Sequence, residues 1–232
     1  MNFESLSNLP QDALARWVED RLAGRTAEPP LDARSWESPQ DYVDRIHNDV
    51  GTSDLATRLE QALRTTLGRA VAASADGSTA QDVLLTNGAD LAGRWRLDGT
   101  AHVLFAAAEQ RLRSSSVDGG SAPLKAVLRA LANVQPRGEF ADFWRRLWKS
   151  DRHDLWGSAL AGLRACAPRE ALQALPTAVA RNCARGAPEL GIALWSLWKN
   201  PDYGIAEPDF ALSLRSMTPD EKQRCREELV AA

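Results

Sequence analysis

The sequence predicts an all-α protein of about ten helices, from hydrophobic spacing, proline placement and the lack of strand patterning. Apolar residues recur at helical spacing along most of the chain, with polar residues between them. Pro168, Pro176, Pro188, Pro201, Pro208 and Pro219 recur through the second half. They are expected between helices or in first turns, because proline breaks a helix interior. No run alternates β-branched with polar residues, and Asn87-Gly88 is not flanked by such runs.

The first long stripe is Leu9, Ala13, Leu14, Trp17, Val18 and Leu22. Pro10 suits its first turn, and Gly24 stands where a C-terminal cap belongs. A proline-bearing loop through Glu28-Pro29-Pro30 follows. Ser38-Pro39-Gln40-Asp41 reads as a helix start, with Tyr42, Val43 and Ile46 inward. Ser53 then caps a long helix whose stripe is Leu55, Leu59, Ala62, Leu63, Leu67, Ala70 and Val71. Asp76-Gly77-Ser78 ends it as a turn. Residues 80–97 read as one broken helix or two short ones, interrupted near Asn87-Gly88. Thr100 is expected to cap the next helix, with Val103, Leu104, Ala107, Ala108 and Leu112 inward.

Ser114 to Ser121 is the most linker-like stretch, rich in Ser and Gly without apolar anchors. It suggests an N-terminal helical region over 1–118 and a C-terminal array of helical hairpins over 119–232, unless the two form one continuous domain. The second half carries the stripes Leu124, Val127, Leu128 and Leu131, then Phe140, Phe143, Trp144, Leu147 and Trp148, then Leu155, Trp156, Ala159, Leu160 and Leu163. Thr218-Pro219-Asp220-Glu221 has the form of a capping box.

Two segments echo each other. Phe140 to Ser150 and Leu190 to Asn200 align on Leu147-Trp148-Lys149 and Leu197-Trp198-Lys199, 50 residues apart. His102-Val103-Leu104-Phe105 and His153-Asp154-Leu155-Trp156 pair more faintly, at a spacing of 51. Near-constant spacing suggests a repeated hairpin, and such units stack because none buries its apolar face alone. The expected architecture is an irregular N-terminal helical bundle followed by HEAT-like stacked hairpins, an α-solenoid-like array.

The 232 residues carry a net charge of -3, so no bulk charge steers the chain to nucleic acid or membrane. No apolar run reaches the roughly 18 residues of a membrane span. The N-terminus lacks the basic and apolar regions of a signal peptide. Cys166, Cys183 and Cys225 are odd in number and widely spaced, which points to reduced thiols in a cytoplasmic protein. The excess of arginine over lysine suits a GC-rich bacterial genome.

Phosphate-loop, zinc-protease, EF-hand and nucleophile-elbow motifs are absent, and no cofactor or metal is implied. Charge, however, is segregated. Residues 1–60 hold six basic and twelve acidic side chains, whereas residues 119–199 hold twelve basic and six acidic. Arg145, Lys149 and Arg152 form a stripe at i, i+4, i+7, roughly opposite Phe140, Phe143, Trp144, Leu147 and Trp148. One face of that helix is expected to be buried and the other to offer positive charge.

Trp36 stands outside any stripe, in a Pro- and Ser-rich segment. The other tryptophans suit core filling between helices.

Together these features favour a non-enzymatic protein-protein interaction module: an adaptor, regulatory subunit or inhibitor. Its candidate binding residues are Arg145, Lys149, Arg152 and Trp36, and its partner is a protein, an acidic one by charge. One alternative is a nucleic-acid-binding helical repeat using the same basic face. Another is an enzyme with scattered site residues near His153, where Asp151 or Asp154 would tune an imidazole base. For Asp151 a helix N-cap is the simpler expectation. Cys166 or Cys183 as a nucleophile would need a base and an electropositive setting, and burial is the expected state of both.

Overall fold

A computed structural model describes residues 3–25, 37–73, 79–114, 122–134, 138–185 and 218–220. Those residues form α-helices and short 3-10 turns, with no strand among them. The helices are α1 (Phe3–Ser7), α2 (Gln11–Leu22), α3 (Pro39–Val50), α4 (Asp54–Ala73), α5 (Thr79–Arg94) and α6 (Ala101–Ser114), then α7 (Ala122–Val134), α8 (Ala141–Lys149), α9 (Trp156–Cys166) and α10 (Pro168–Arg185). Pro219 and Asp220 are also helical, at the expected start of the last helix. The chain divides into two compact units, Met1–Arg113 with Ala122–Ala130 and Ser114–Ser121 with Leu131–Ala232.

In the first unit α4 is the central helix. It packs on both α2 and α5, and α3 touches all three. Leu59, Leu63 and Leu67 are fully buried, as are Leu14, Val18 and Leu22 of α2 and Leu85 of α5. Ser38 caps α3 by accepting from the Asp41 backbone N–H at 3.2 Å, and Tyr42, Val43 and Ile46 face inward as the spacing predicts. Ser53 accepts from the Ala56 N–H at 3.4 Å and opens α4. The Arg58 guanidinium ties α4 to the turn before α2. It donates to the carbonyls of Ser7 (2.8 Å) and Leu9 and to Gln11 Oε1.

Three expectations are corrected. Helix α5 runs unbroken through Asn87-Gly88. Gly88 is buried against α4, where a Cβ would lie 2.9 Å from Leu67 Cδ2, and Asn87 donates to the Leu22 carbonyl at 2.8 Å. Both residues serve packing between helices, not a break. Pro176 lies inside α10, not at a start. Proline removes one backbone hydrogen bond there, and the buried row Ala171, Leu175 and Ala178 on a helix packed against α9 offsets that loss. Asp151 caps nothing with its side chain: its carbonyl accepts from the His153 N–H, and a 3-10 turn at His153–Leu155 leads into α9.

Two helix ends make a useful pair. At the end of α2, Gly24 (φ +67) closes the turn with Gly24 N–H to Arg21 O and Arg25 N–H to Asp20 O. At the end of α5, Arg96 (φ +51) takes the same place, with Arg96 N–H to Gly93 O and Leu97 N–H to Ala92 O. Left-handed backbone costs a residue with a Cβ roughly 1–2 kcal/mol. Gly24→Ala is therefore expected to lower stability by about 1 kcal/mol, and Arg96→Gly to raise it by up to about 1 kcal/mol. Urea melts of the two variants check the opposite signs.

In the second unit α8 packs on α9 and α9 on α10. The inward row of α8 is Phe143, Trp144, Leu147 and Trp148, and that of α9 includes Trp156, Ala159, Leu160 and Leu163. The Arg181 guanidinium from α10 lies over the rings of Trp148 (4.4 Å) and Trp156 (4.2 Å) and donates to the Trp148 carbonyl at 2.7 Å. These tryptophans fill the core of the unit. Trp195, Trp198 and the Leu190–Asn200 half of the echo lie outside the described residues.

Candidate interaction site

Nine residues of α8 divide cleanly by face. Ala141, Phe143, Trp144, Leu147 and Trp148 are buried, while Asp142, Arg146 and Lys149 are exposed and Arg145 is half-exposed. The division follows from the 3.6-residue period, which places 142, 145, 146 and 149 together on the side away from the aromatic row.

Arg145 is held on that face by two carboxylates. Its Nε and Nη2 donate to Glu170 Oε2 and Oε1, both at 2.6 Å, a bidentate pair between α8 and α10. Its Nη1 donates to Asp142 on the same helix. The Glu170 bond first, and the Asp142 bond second, hold the Arg145 guanidinium above its usual range. Reciprocally, Arg145 holds the Glu170 carboxyl below the usual carboxylate range, with a smaller contribution from Lys149. Lys149 makes no ion pair among the described residues and stays exposed.

Arg152 stands apart from this group. It follows α8 and is mostly buried, and its fork meets Asp154 at 3.0 Å from both Nε and Nη2. That bond raises its guanidinium above the usual range. The structure therefore brings Arg145 and Lys149 onto one face and turns Arg152 to a local partner. Trp36 lies outside the described residues.

Around His153 one of the two acids is otherwise engaged, and Asp151 is exposed. Asp154 is taken by Arg152, and the exposed His153 ring meets Trp156 edge-on at 5.5 Å. Cys166 is a half-buried free thiol that donates to the Gly162 carbonyl at 3.1 Å. Burial pushes its pKa up to about 11, against the opposing pull of Arg145. The thiolate is the nucleophilic form. In a variant lacking the other two cysteines, the native thiol is expected to resist iodoacetamide at pH 8. It should speed up as pH approaches 11, while the urea-unfolded chain reacts readily at pH 8 to 9. Equal native and unfolded rates at pH 8 would contradict the burial.

A second charged cluster in the first unit escaped sequence reasoning. Arg94 Nη1 donates to Asp41 (2.8 Å) and Asp44 (3.3 Å), and Nη2 pairs with Asp90 at 2.7 Å. Trp95 Nε1 donates to Asp44 at 2.7 Å, and its ring stacks on His47 at 4.0 Å. His47 Nε2 is 3.3 Å from Glu60, which also takes Arg64. This network ties α3, α4 and the end of α5 together. Its sole signal in the sequence was the acidic excess of the first 60 residues.

An open cavity of about 370 Å³ in this unit is lined by Ser7, Val50, Ser53, Asp54, Leu55 and Arg58. Its guanidinium is spent on the Ser7 and Leu9 carbonyls. Among the described residues no cluster of His, Cys, Asp and Glu is arranged to hold a metal ion, and no helix is long and apolar enough to cross a membrane. No protein-family model matches the sequence, and neither a curated protein nor a solved structure matches it.

Proposed function

We propose that the chain is a non-enzymatic protein-protein interaction module, an adaptor, regulatory subunit or inhibitor, that presents the outer face of α8 to a protein partner in the cytoplasm. The observation that carries this reading is the charge row Asp142, Arg145 and Lys149, in which the bidentate Glu170 pair holds Arg145 on the face opposite the buried aromatic row. Side chains already ordered lose less entropy on docking, and arginine is enriched at binding hot spots. Trp36 is the second residue assigned to the surface.

The proposed architecture of the second half is a HEAT-like stack of hairpins. Sequential packing of α8 on α9 and α9 on α10 supports it, in contrast to the α2–α4 packing of the first unit. The paired echo residues Leu104 and Leu155 are both fully buried near helix starts.

A nucleic-acid reading of the same face is weakened by its charge balance: Asp142 and Glu170 stand beside Arg145 and Lys149, and Arg152 is turned to Asp154, so the face lacks the large basic excess that phosphate binding usually shows. An enzymatic site at His153 is weakened by the commitment of Asp154 to Arg152.

The test is affinity capture from host lysate after nuclease treatment, comparing wild type with Lys149→Glu. Lys149 is exposed, so the circular dichroism of the variant should be unchanged. Capture of a defined protein by wild type, reduced about tenfold in the variant (a change of about 1.4 kcal/mol), is the expected result. Equal capture by both would remove α8 as the interface. Recovery of nucleic acid in place of protein, before nuclease, would replace the reading altogether.

A further inference from the structure

We infer that Glu170 occupies the place of a partner's carboxylate at Arg145, so that the α8 face recognises an acidic protein segment by exchanging an internal ion pair for an external one. The inference rests on the interaction-module reading and names the chemistry of its partner.

The geometry of the pair is that of recognition. A planar guanidinium meets a carboxylate through two parallel bonds of 2.6 Å, the arrangement by which arginine selects carboxylates from proteins and ligands alike. Yet the pair is not sealed in the core. The Arg145 and Glu170 side chains are 38% and 42% exposed, and Asp142 is 89% exposed. Exposed ion pairs contribute little net stability, so exchanging one carboxylate for another costs little.

Neither helix depends on the pair for its seat. Helix α8 is held by Phe143, Trp144, Leu147 and Trp148. Helix α10 is held by Ala171, Leu175 and Ala178 and by Arg181 on the two indole rings. The latch can therefore open while the unit stays folded. Lys149, one turn beyond Arg145, adds a positive charge without an ion partner among the described residues. Cations at i and i+4 have Cβ atoms about 6 Å apart, a spacing that two neighbouring carboxylates of an acidic segment can match.

The test uses the full chain and a fluorescein-labelled hexaglutamate, followed by anisotropy at low salt. Glu170→Gln keeps the side-chain shape and frees the Arg145 fork, so binding should tighten about threefold to fivefold over wild type. Lys149→Gln should weaken it by a similar factor, and added sodium chloride should weaken all forms. Asp12→Asn, which adds the same charge at an exposed position of the other unit, should change nothing. A thermal melt confirms that Glu170→Gln folds. If it does not, Asp142→Asn, which releases Nη1 alone and leaves the Glu170 pair in place, takes its place in the comparison, with a smaller tightening expected.

No tightening on freeing Arg145, tightening equal to that of Asp12→Asn, or no hexaglutamate binding by any form would each overturn the inference. So would tightening seen only with a labelled oligothymidylate, which would assign the face to phosphates. A wild-type chain that captures a protein from lysate yet ignores hexaglutamate keeps the module reading and loses this one. Hexaglutamate binding that responds to Glu170→Gln, with no protein captured, supports the carboxylate exchange at Arg145 and counts against the lysate partner alone.

Discussion

Gly162→Ala is expected to lower the stability of the protein by about 3 kcal/mol or more, or to prevent the second unit from folding. A Cβ at position 162 would lie 2.1, 2.2 and 2.4 Å from Cδ2, Cε2 and Cε3 of the Trp144 ring. Trp144 is fully buried and meets the edge of Phe143 at 4.9 Å, so the indole has little room to retreat. The measurement is the urea midpoint followed by circular dichroism. Gly88→Ala is the control. Its nearest atom is Leu67 Cδ2 at 2.9 Å, the free end of an aliphatic side chain, so its cost should stay near about 1 kcal/mol. Similar losses at both glycines would show that the Trp144 contact is looser than the geometry states. Shrinking the ring with Trp144→Leu in the Gly162→Ala background should recover part of the loss.

Leu63→Ala should cost about 3 kcal/mol in the first unit. Leu63 is fully buried in α4, the helix shared by the α2 and α5 contacts. Its Cδ1 lies 3.8 Å from the Cβ position of Gly88, so the cavity opens between packed helices that cannot close on it freely. Val83→Ala on α5 is the reference, because Val83 is 40% exposed and its truncation should stay within about 0.5 kcal/mol. A loss at Leu63 no larger than at Val83 would contradict the central place of α4.

The contrast between these two sites marks what could be read in advance. Leu63 belongs to a stripe visible at once in the sequence, because burial on a helix repeats with the helix's own period. The same logic placed Leu124, Val127, Leu128 and Leu131 inward, and all four are fully buried. It found Ser38, Ser53 and Gly24 at their helix ends, since capping is settled by a residue and its close neighbours. The outer face of α8 was legible for the same reason: Arg145 and Lys149 are one turn apart, and the aromatic row fixes which side points away.

What escaped was decided between segments. Nothing local marks Glu170 as the partner of Arg145, 25 residues earlier, nor Asp154 as the local partner that takes Arg152 off the stripe. Gly88 looked like a break because glycine is unfavourable in a helix, yet it is there to let α4 approach. Pro176 looked like a boundary because proline removes a hydrogen bond, yet α10 continues through it against α9. The Asp44–Trp95–His47–Glu60 network joins residues from three parts of the chain and leaves no trace at any fixed spacing.

The sequence by itself therefore determined that the described chain is helical, where most helices begin and end, and which residues each turns inward, because these depend on spacing and caps within about twenty residues. Only the tertiary structure decided which glycines are sites of contact, which charges are spent on internal partners and which remain outward, because a side chain's neighbours across helices are set by packing and not by its place in the chain.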